Sequence, residues 1–433
     1  MAIQALLVIL AVLLVLLFLG VPISYAIAVS SLTAILSSID LNVAVLTAAQ
    51  RTFVGMSKFS LTAIPFFILA GNIMNQGGIA KRLVDFVMAI LGKMPGALLV
   101  TNIGTNALFG AISGSASAAA AAVGSMIRDG AEEQGYDPAV TAATNAASSC
   151  SGLLIPPSNA LITYSLASGG TSVAALFMAG YIPGIIWALC CCVVGVLLAV
   201  KLGYKGTPGK FDWKNLGICT LRALPSLSLI IVVIGGIIGG VFSATEGSAI
   251  AVVYALILAF CYRSINLKSL WKIIVDSAKM SGMVVFLVGV SNILGWVMAF
   301  LQIPDAVAAA LLSLTSNKYV ILLIMNVILL VSGTFMDVTP AILIFTPLFL
   351  PICQSFGMST IQFGLILVYN LCIGNITPPV GNALFVGIKV GRTSLSKVMP
   401  YMLMYYVAII GGLLLVTFIP VLSEFIPHLT GYI

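Results

Sequence analysis

Apolar residues run through this chain in blocks, not in alternation. The blocks cover residues 6–20, 21–36, 61–74, 83–91, 97–112, 175–200, 224–241, 249–262, 283–301, 319–331, 341–352, 363–373 and 402–421. Continuous apolar runs of this kind read as helices within a bilayer, where each main-chain N–H and C=O must be satisfied inside its own segment. One crossing of the hydrocarbon takes about 20 residues, so the length predicts about ten to twelve helical segments. Several blocks are too short to cross alone. Short apolar segments interrupted by Gly or Pro predict re-entrant hairpins or discontinuous helices. No charge precedes Asp40. A cleaved signal starts with a basic stretch, so the first block reads as a retained membrane helix.

Composition narrows the class further. Of 433 residues, 61% are apolar and 7% charged, against roughly 25% charged in a soluble domain. An integral membrane protein is the class that fits. Lys and Arg number 19 against 12 Asp and Glu, an excess that in such a chain orients loops. No basic run interleaved with aromatics supports nucleic-acid binding. The eight cysteines, among them Cys190, Cys191 and Cys192, form no CxxC pair and read as small packing residues. Enzyme classes lack material: His428 is the single histidine, and HExxH, Walker A and GxGxxG patterns are absent from the sequence.

Residues 201–222 form a basic linker that divides the chain near its middle, with Lys201, Lys205, Lys210, Lys214 and Arg222 against Asp212. The two sides repeat. Gly135, Cys150, Gly152, Pro156 and Pro157 match Gly357, Cys372, Gly374, Pro378 and Pro379 at one offset. Asn159-Ala160-Leu161 matches Asn382-Ala383-Leu384 one residue further on, and Ser113-Gly114 matches Ser332-Gly333 nearby. We read repeats over 1–200 and 223–433. The linker and the Arg263, Lys268, Lys272, Lys279 stretch share a face, cytoplasmic by the positive-inside rule. The following loop, with Asp305, falls outside, while its counterpart with Lys81, Arg82 and Lys93 falls inside. The halves are therefore inverted.

Each half carries two interruptions: Ser113-Gly114-Ser115 with residues 155–159, and Ser332-Gly333-Thr334 with residues 377–382. Proline removes a backbone donor and opens a helix. Carbonyls freed at membrane depth need a partner, and a cation is one. Half-helix N-termini suit an anion. Kinked packing and back-bonded Ser explain one such break equally well; two pairs in register favour a site. Asp337, inside an apolar region, is a candidate ligand, with an acid at a water-facing hairpin end as the alternative. Glu246 reads as an interfacial cap. Arg128, Asp129, Glu132, Glu133 and Asp137 read as a solvated connector.

Together with Val21-Pro22, residues 63–67 (AIPFF), Gly71, Gly77-Gly78, residues 135–137 (GYD), Pro156-Pro157-Ser158, Thr245-Glu246, Asp337 and Thr377-Pro378-Pro379, this pattern resembles the large membrane subunit of tripartite ATP-independent periplasmic (TRAP) transporters. The resemblance covers essentially the whole chain. It implies an all-α polytopic protein of the bacterial inner membrane, with two inverted-topology repeats, two re-entrant hairpins, and an elevator-type scaffold plus transport domain. It implies no cofactor beyond Na⁺ as coupling ion. The partners it implies are a small four-helix membrane subunit, a periplasmic solute-binding protein and an organic anion. Ser113, Ser115, Gly152 and Pro156 would line one Na⁺ site, and Gly333, Thr334, Asp337, Gly374 and Thr377 a second. Ser115, Ser158, Asn159 and Asp337 would face the substrate. In the second half Val380-Gly381 replaces Ser158. Hydroxyls and amides without a buried arginine suit a sialic acid-like sugar acid first and a C4-dicarboxylate next. A stand-alone Na⁺/dicarboxylate symporter is the alternative.

Overall fold

The structure, a computed structural model, describes residues 2–206, 211–315 and 317–432. The described residues form helices throughout. The first half runs α1 (Ala2–Phe18), α2 (Ile23–Ile35), α3 (Leu41–Met56), a 3₁₀ turn (Phe59–Thr62), α4 (Ala63–Gln76), α5 (Ile79–Leu91), α6 (Ala97–Ser113) and α7 (Ala116–Glu133). It continues with α8 (Pro138–Ser149), the single turn α9 (Ser151–Leu154), α10 (Asn159–Ala167) and α11 (Val173–Leu202). The second half runs α12 (Trp213–Ile238), α13 (Ala244–Cys261), α14 (Leu267–Phe300), α15 (Ile303–Leu314), α16 (Lys318–Gly333) and α17 (Val338–Ser355). It ends with α18 (Thr360–Asn375), α19 (Asn382–Val390), α20 (Leu395–Phe418) and α21 (Val421–Leu429).

Six of these helices are long and apolar enough to cross a membrane: α11, α12, α13, α14, α17 and α20. A seventh span results if α3 and α4, bent by 60° at the 3₁₀ turn, are taken together. α6, α16 and α18 are apolar but shorter, as the interrupted blocks predict. Large apolar side chains such as Val407, Leu267 and Leu221 stand exposed on the outside of the bundle, where lipid rather than water is the compatible neighbour.

The helices sort into two packed groups, each drawing on both halves of the chain. α1–α5 pack with α12–α15, chiefly through α4 on α13 and through α2, α3 and α4 on α14. α6–α11 pack with α16–α21, through α8 on α19 and α20, α10 on α17, and α11 on α18, α20 and α21. The groups meet where α5 lies on α6 and α7, α4 on α6 and α10, and α14 and α15 on α17.

Local structure corrects two expectations. Arg128 to Glu133 are not a loop but the last turns of α7, and Asp137 caps α8 by accepting from the Ala139 N–H at 2.8 Å. Apolar residues on the opposite side of those turns, Ile127 and Ala131, are buried and hold the helix. The linker is also shorter than its composition suggests. α11 reaches Leu202 and α12 starts at Trp213, capped by Asp212, so Lys201, Lys214 and Arg222 are helical. Lys210 lies outside the described residues. Glu246 is the cap the sequence predicts: it closes a capping box with Ser243 at the start of α13.

Candidate functional site

The first pair of interruptions is built on a backbone crossing. α6 meets the α8–α9 segment at Gly110 and Gly152, where a Cβ on Gly152 would lie 2.1 Å from the Gly110 Cα and one on Gly110 2.5 Å from the Gly152 Cα. Glycine at both positions lets main chain lie on main chain. Just beyond, α6 ends at Ser113. Gly114 turns the chain in the left-handed region (φ +60°), and Ser115 caps α7 by accepting from the Ala118 N–H at 3.3 Å. Gly71 of α4 sits against the Ser113 carbonyl, 2.7 Å from where its own Cβ would be.

On the facing segment, α9 stops at Leu154, Ile155 is extended, and the Pro156–Pro157 bond is cis. Ser158 caps α10, accepting from the Leu161 N–H at 3.3 Å and donating to the Leu153 carbonyl. Gly180 and Gly184, one turn apart on α11, admit this unwound stretch: their Cβ atoms would fall 2.3 Å from the Leu154 carbonyl oxygen and 2.4 Å from the Ile155 side chain. The two interruptions touch, because Asn159 Nδ2 donates to the Gly114 carbonyl at 3.4 Å. The structure thus brings Ser113, Ser115, Gly152, Pro156, Ser158 and Asn159 into one neighbourhood. Ser115 and Asn159 are partly exposed, whereas the Ser158 hydroxyl is buried and fully engaged.

The second pair repeats the device with one difference. α16 crosses α18 at Gly333 and Gly374; a Cβ on Gly374 would lie 2.4 Å from the Gly333 carbonyl carbon, but one on Gly333 would clear the Gly374 Cα by 3.3 Å. At this crossing Gly333 does the work of Gly110, not of Gly114, with which the Ser-Gly register pairs it. The Val380 N–H donates to the Thr334 carbonyl at 3.1 Å, tying the two interruptions by main chain alone. Thr334 and Thr377 donate back to their own helices, to the Val331 carbonyl at 2.8 Å and the Ile373 carbonyl at 2.7 Å. Pro378–Pro379 is cis. Asp337 precedes α17, yet its carboxylate makes no capping bond and is exposed, as are Pro379, Val380 and Asn382.

The two sites sit back to back. Cys372 Sγ lies 3.9 Å from the Cys150 carbonyl and Asn375 Nδ2 3.9 Å from Cys150 Sγ, so the cysteines paired by the sequence register are neighbours in space. Helix ends leave carbonyls and N–H groups without intrahelical partners. The arrangement therefore concentrates main-chain oxygens, hydroxyls and amides, plus one carboxylate, at four helix ends. That donor set suits a hard monovalent cation and, at the N-terminal ends, an anion.

Sequence reading missed a polar spine beneath the first site. Asn106 of α6 donates to Asn102 Oδ1 at 2.7 Å, to Ser148 Oγ at 2.8 Å and to Asn145 Oδ1 at 3.1 Å. Asn145 reaches the Ala120 carbonyl on α7 at 2.8 Å. In the second half Asn370 donates to Asn326 at 2.7 Å and Asn326 to Thr417 at 3.1 Å. Amides four residues apart in an apolar block, as Asn102 and Asn106 are, were the available signal.

Comparison with known proteins follows the same lines. Residues 10–422 match the family model described as the DctM component of tripartite ATP-independent periplasmic transporters. The chain is 50% identical over 410 residues to the uncharacterized protein YgiK of Salmonella typhimurium, covering 95% of this chain and 94% of that protein. It is 36% identical over 407 residues to the isethionate TRAP transporter permease protein DctMQ of Oleidesulfovibrio alaskensis; this takes in 94% of the chain but 64% of that longer protein. Among solved structures, the YdaH transporter of Alcanivorax borkumensis matches with a TM-score of 0.63 at 15% identity, over 90% of each chain, a likeness of fold.

Proposed function

The chain belongs to the DctM component family of tripartite ATP-independent periplasmic transporters, and from that premise we propose that it is the permease subunit of a Na⁺-coupled importer of an organic anion in the bacterial inner membrane. One observation carries the reading: twice in one chain, two glycines bring a broken helix against a second broken helix, so that carbonyl and hydroxyl oxygens converge inside the helix bundle. Carbonyls so freed need a cation more than lipid. Ser113, Ser115, Gly152 and Pro156 would hold one Na⁺, and Gly333, Thr334, Asp337, Gly374 and Thr377 a second. Ser115, Asn159 and Asp337 would face the solute, while Ser158, which the sequence also places there, is buried and would hold the start of α10 behind them.

The two packed groups support an elevator. α1–α5 with α12–α15 would be the scaffold, and α6–α11 with α16–α21 the moving domain, each built from both inverted repeats. A small four-helix membrane subunit would brace the scaffold, and a periplasmic binding protein would deliver the solute. A sialic acid-like sugar acid is our first candidate and a C4-dicarboxylate the next. The isethionate of the 36% identical relative shares with a sugar acid a single charge and a hydroxyl.

Uptake into proteoliposomes holding both membrane subunits, with binding protein outside, tests this. Uptake should require an inward Na⁺ gradient and the binding protein. Uptake driven by a proton gradient alone would defeat sodium coupling, and uptake without the binding protein would favour a stand-alone symporter.

A further inference from the structure

α3 and α14 also cross through glycine, at the edge of the first helix group. A Cβ on Gly55 would lie 2.5 Å from Asn292 Nδ2, and one on Gly289 2.6 Å from Met56 Cγ. One turn from this crossing, Arg51 of α3 is set against the Trp296 ring of α14, its guanidinium carbon 6.0 Å from the ring centre. Lys58 follows at the bend before the 3₁₀ turn. Both cations line a cavity of about 260 Å³ with Ser291, Asn292 and Trp296, closed on the far side by Gly169 of the α10–α11 loop and by Leu343 and Pro347 of α17. No carboxylate lines the cavity, and among the described residues neither cation has an ion-pair partner.

We propose that this cavity is an oxyanion-binding antechamber, in which Arg51 and Lys58 of the first helix group receive a carboxylate or sulfonate of the transported solute before it reaches the broken helices. The identity of the solute rests on the permease reading; the binding of an organic anion here does not. Three observations carry the inference. Two uncompensated cations converge on one solvent-sized space, and guanidinium matches a carboxylate or sulfonate bidentately. The cavity's other wall belongs to α10 and α17, the helices that begin at Ser158 and Asp337. By a rise of 1.5 Å per residue it lies about 13 Å along α10 from Ser158, near the candidate site but separate from it. Finally, it sits at the end of α11 remote from the basic linker, about 45 Å away, the side that the charge distribution makes external.

The placement has a mechanical consequence. The cations stand on one helix group and the broken helices on the other. If the second group moves with the solute, the solute leaves Arg51 and Lys58 behind, so the cationic pull acts at loading and not at release.

Trp296 gives a readout independent of transport. In a Trp213→Phe, Trp271→Phe background of the full chain in detergent, two tryptophans remain, Trp296 and the fully buried Trp187, so the iodide-quenchable emission is that of Trp296. At fixed ionic strength and without Na⁺, iodide should quench it more strongly than neutral acrylamide does. Arg51→Gln with Lys58→Gln should lower the iodide quenching constant about threefold and leave acrylamide quenching unchanged, which also reports an intact fold. Potassium succinate replacing potassium chloride should protect against iodide, and Arg51→Lys should lose part of that protection. Iodide quenching unmoved by the double substitution, or succinate no better than chloride, overturns the proposal. Protection in a protein that takes up nothing under a Na⁺ gradient would leave the antechamber standing and sink the permease reading alone.

Discussion

The two pairs of broken helices share one backbone device and differ in what covers it. The first is closed: Ser113, Gly152, Pro156 and Ser158 are buried, because Gly71 of α4 presses on one interruption and Gly180 and Gly184 of α11 on the other. The second is open: Asp337, Pro379, Val380 and Asn382 are exposed. The chemistry follows the cover. Hydroxyls and an amide occupy the closed site, where Ser158 donates to the Leu153 carbonyl and Asn159 Nδ2 to the Gly114 carbonyl. The one carboxylate stands at the open site, where it keeps water; an unpaired carboxylate in the closed one would cost many kcal/mol. The same fold of the main chain therefore makes a rigid seat in one place and an accessible mouth in the other.

The sharpest way to break this comparison is at the crossings. Gly110→Ala and Gly152→Ala each push a methyl into backbone within 2.5 Å, and Gly374→Ala does so at 2.4 Å. We expect each to lose about 1–3 kcal/mol or more, seen as a large fall in the temperature at which the purified chain aggregates. Gly333→Ala meets the Gly374 Cα at 3.3 Å, a tight contact but not an overlap, and should cost clearly less in the same assay. Equal damage from Gly333→Ala and Gly374→Ala would show that the second crossing is as tight as the first and that the two sites do not differ in this way.

Charge separates the sites next. Under the sodium reading Asp337→Asn removes the single formal charge from the second site, and the Na⁺ concentration for half-maximal uptake should rise about tenfold or more. Ser115→Ala removes one neutral oxygen from the first, and a change of about threefold to tenfold is expected. Because Asp337 is exposed and uncapped, its variant should fold as the parent does. An Asp337→Asn protein with unchanged Na⁺ dependence would return that residue to the role of a hairpin-end acid in water.

What the sequence made legible was whatever interrupts a period. Pro156-Pro157 and Pro378-Pro379 break apolar helices, and the shared register of Cys150 and Cys372 anticipates two residues now found in contact. Glu246 reads correctly because a capping box is local in sequence. The Ser-Gly register failed at Gly333 because matching by type cannot tell which glycine of α6, Gly110 or Gly114, carries the crossing. Arg128 to Glu133 looked like a loop because their charges hide a helix whose buried side is made by few apolar residues, Ile127 and Ala131 among them. Arg51 and Lys58 gave no signal at all. Their meeting with Trp296 depends on the packing of α3 on α14, which no local pattern encodes.

The smallest expected effect concerns the ties between paired interruptions. In the first site the tie is a side chain, Asn159 Nδ2 to the Gly114 carbonyl at 3.4 Å. In the second it is main chain, the Val380 N–H to the Thr334 carbonyl at 3.1 Å. A side-chain tie can be cut by truncation to alanine, whereas a main-chain tie survives any substitution but proline. Asn159→Ala should therefore cost about 0.5–1.5 kcal/mol, the ordinary net value of such a bond. Val380→Ala keeps the N–H and trims a side chain that is 40% exposed, so its thermal unfolding should coincide with the parent's. Should Val380→Ala unfold as early as Asn159→Ala, the valine must be packed in the native protein, and the second site would be closed like the first.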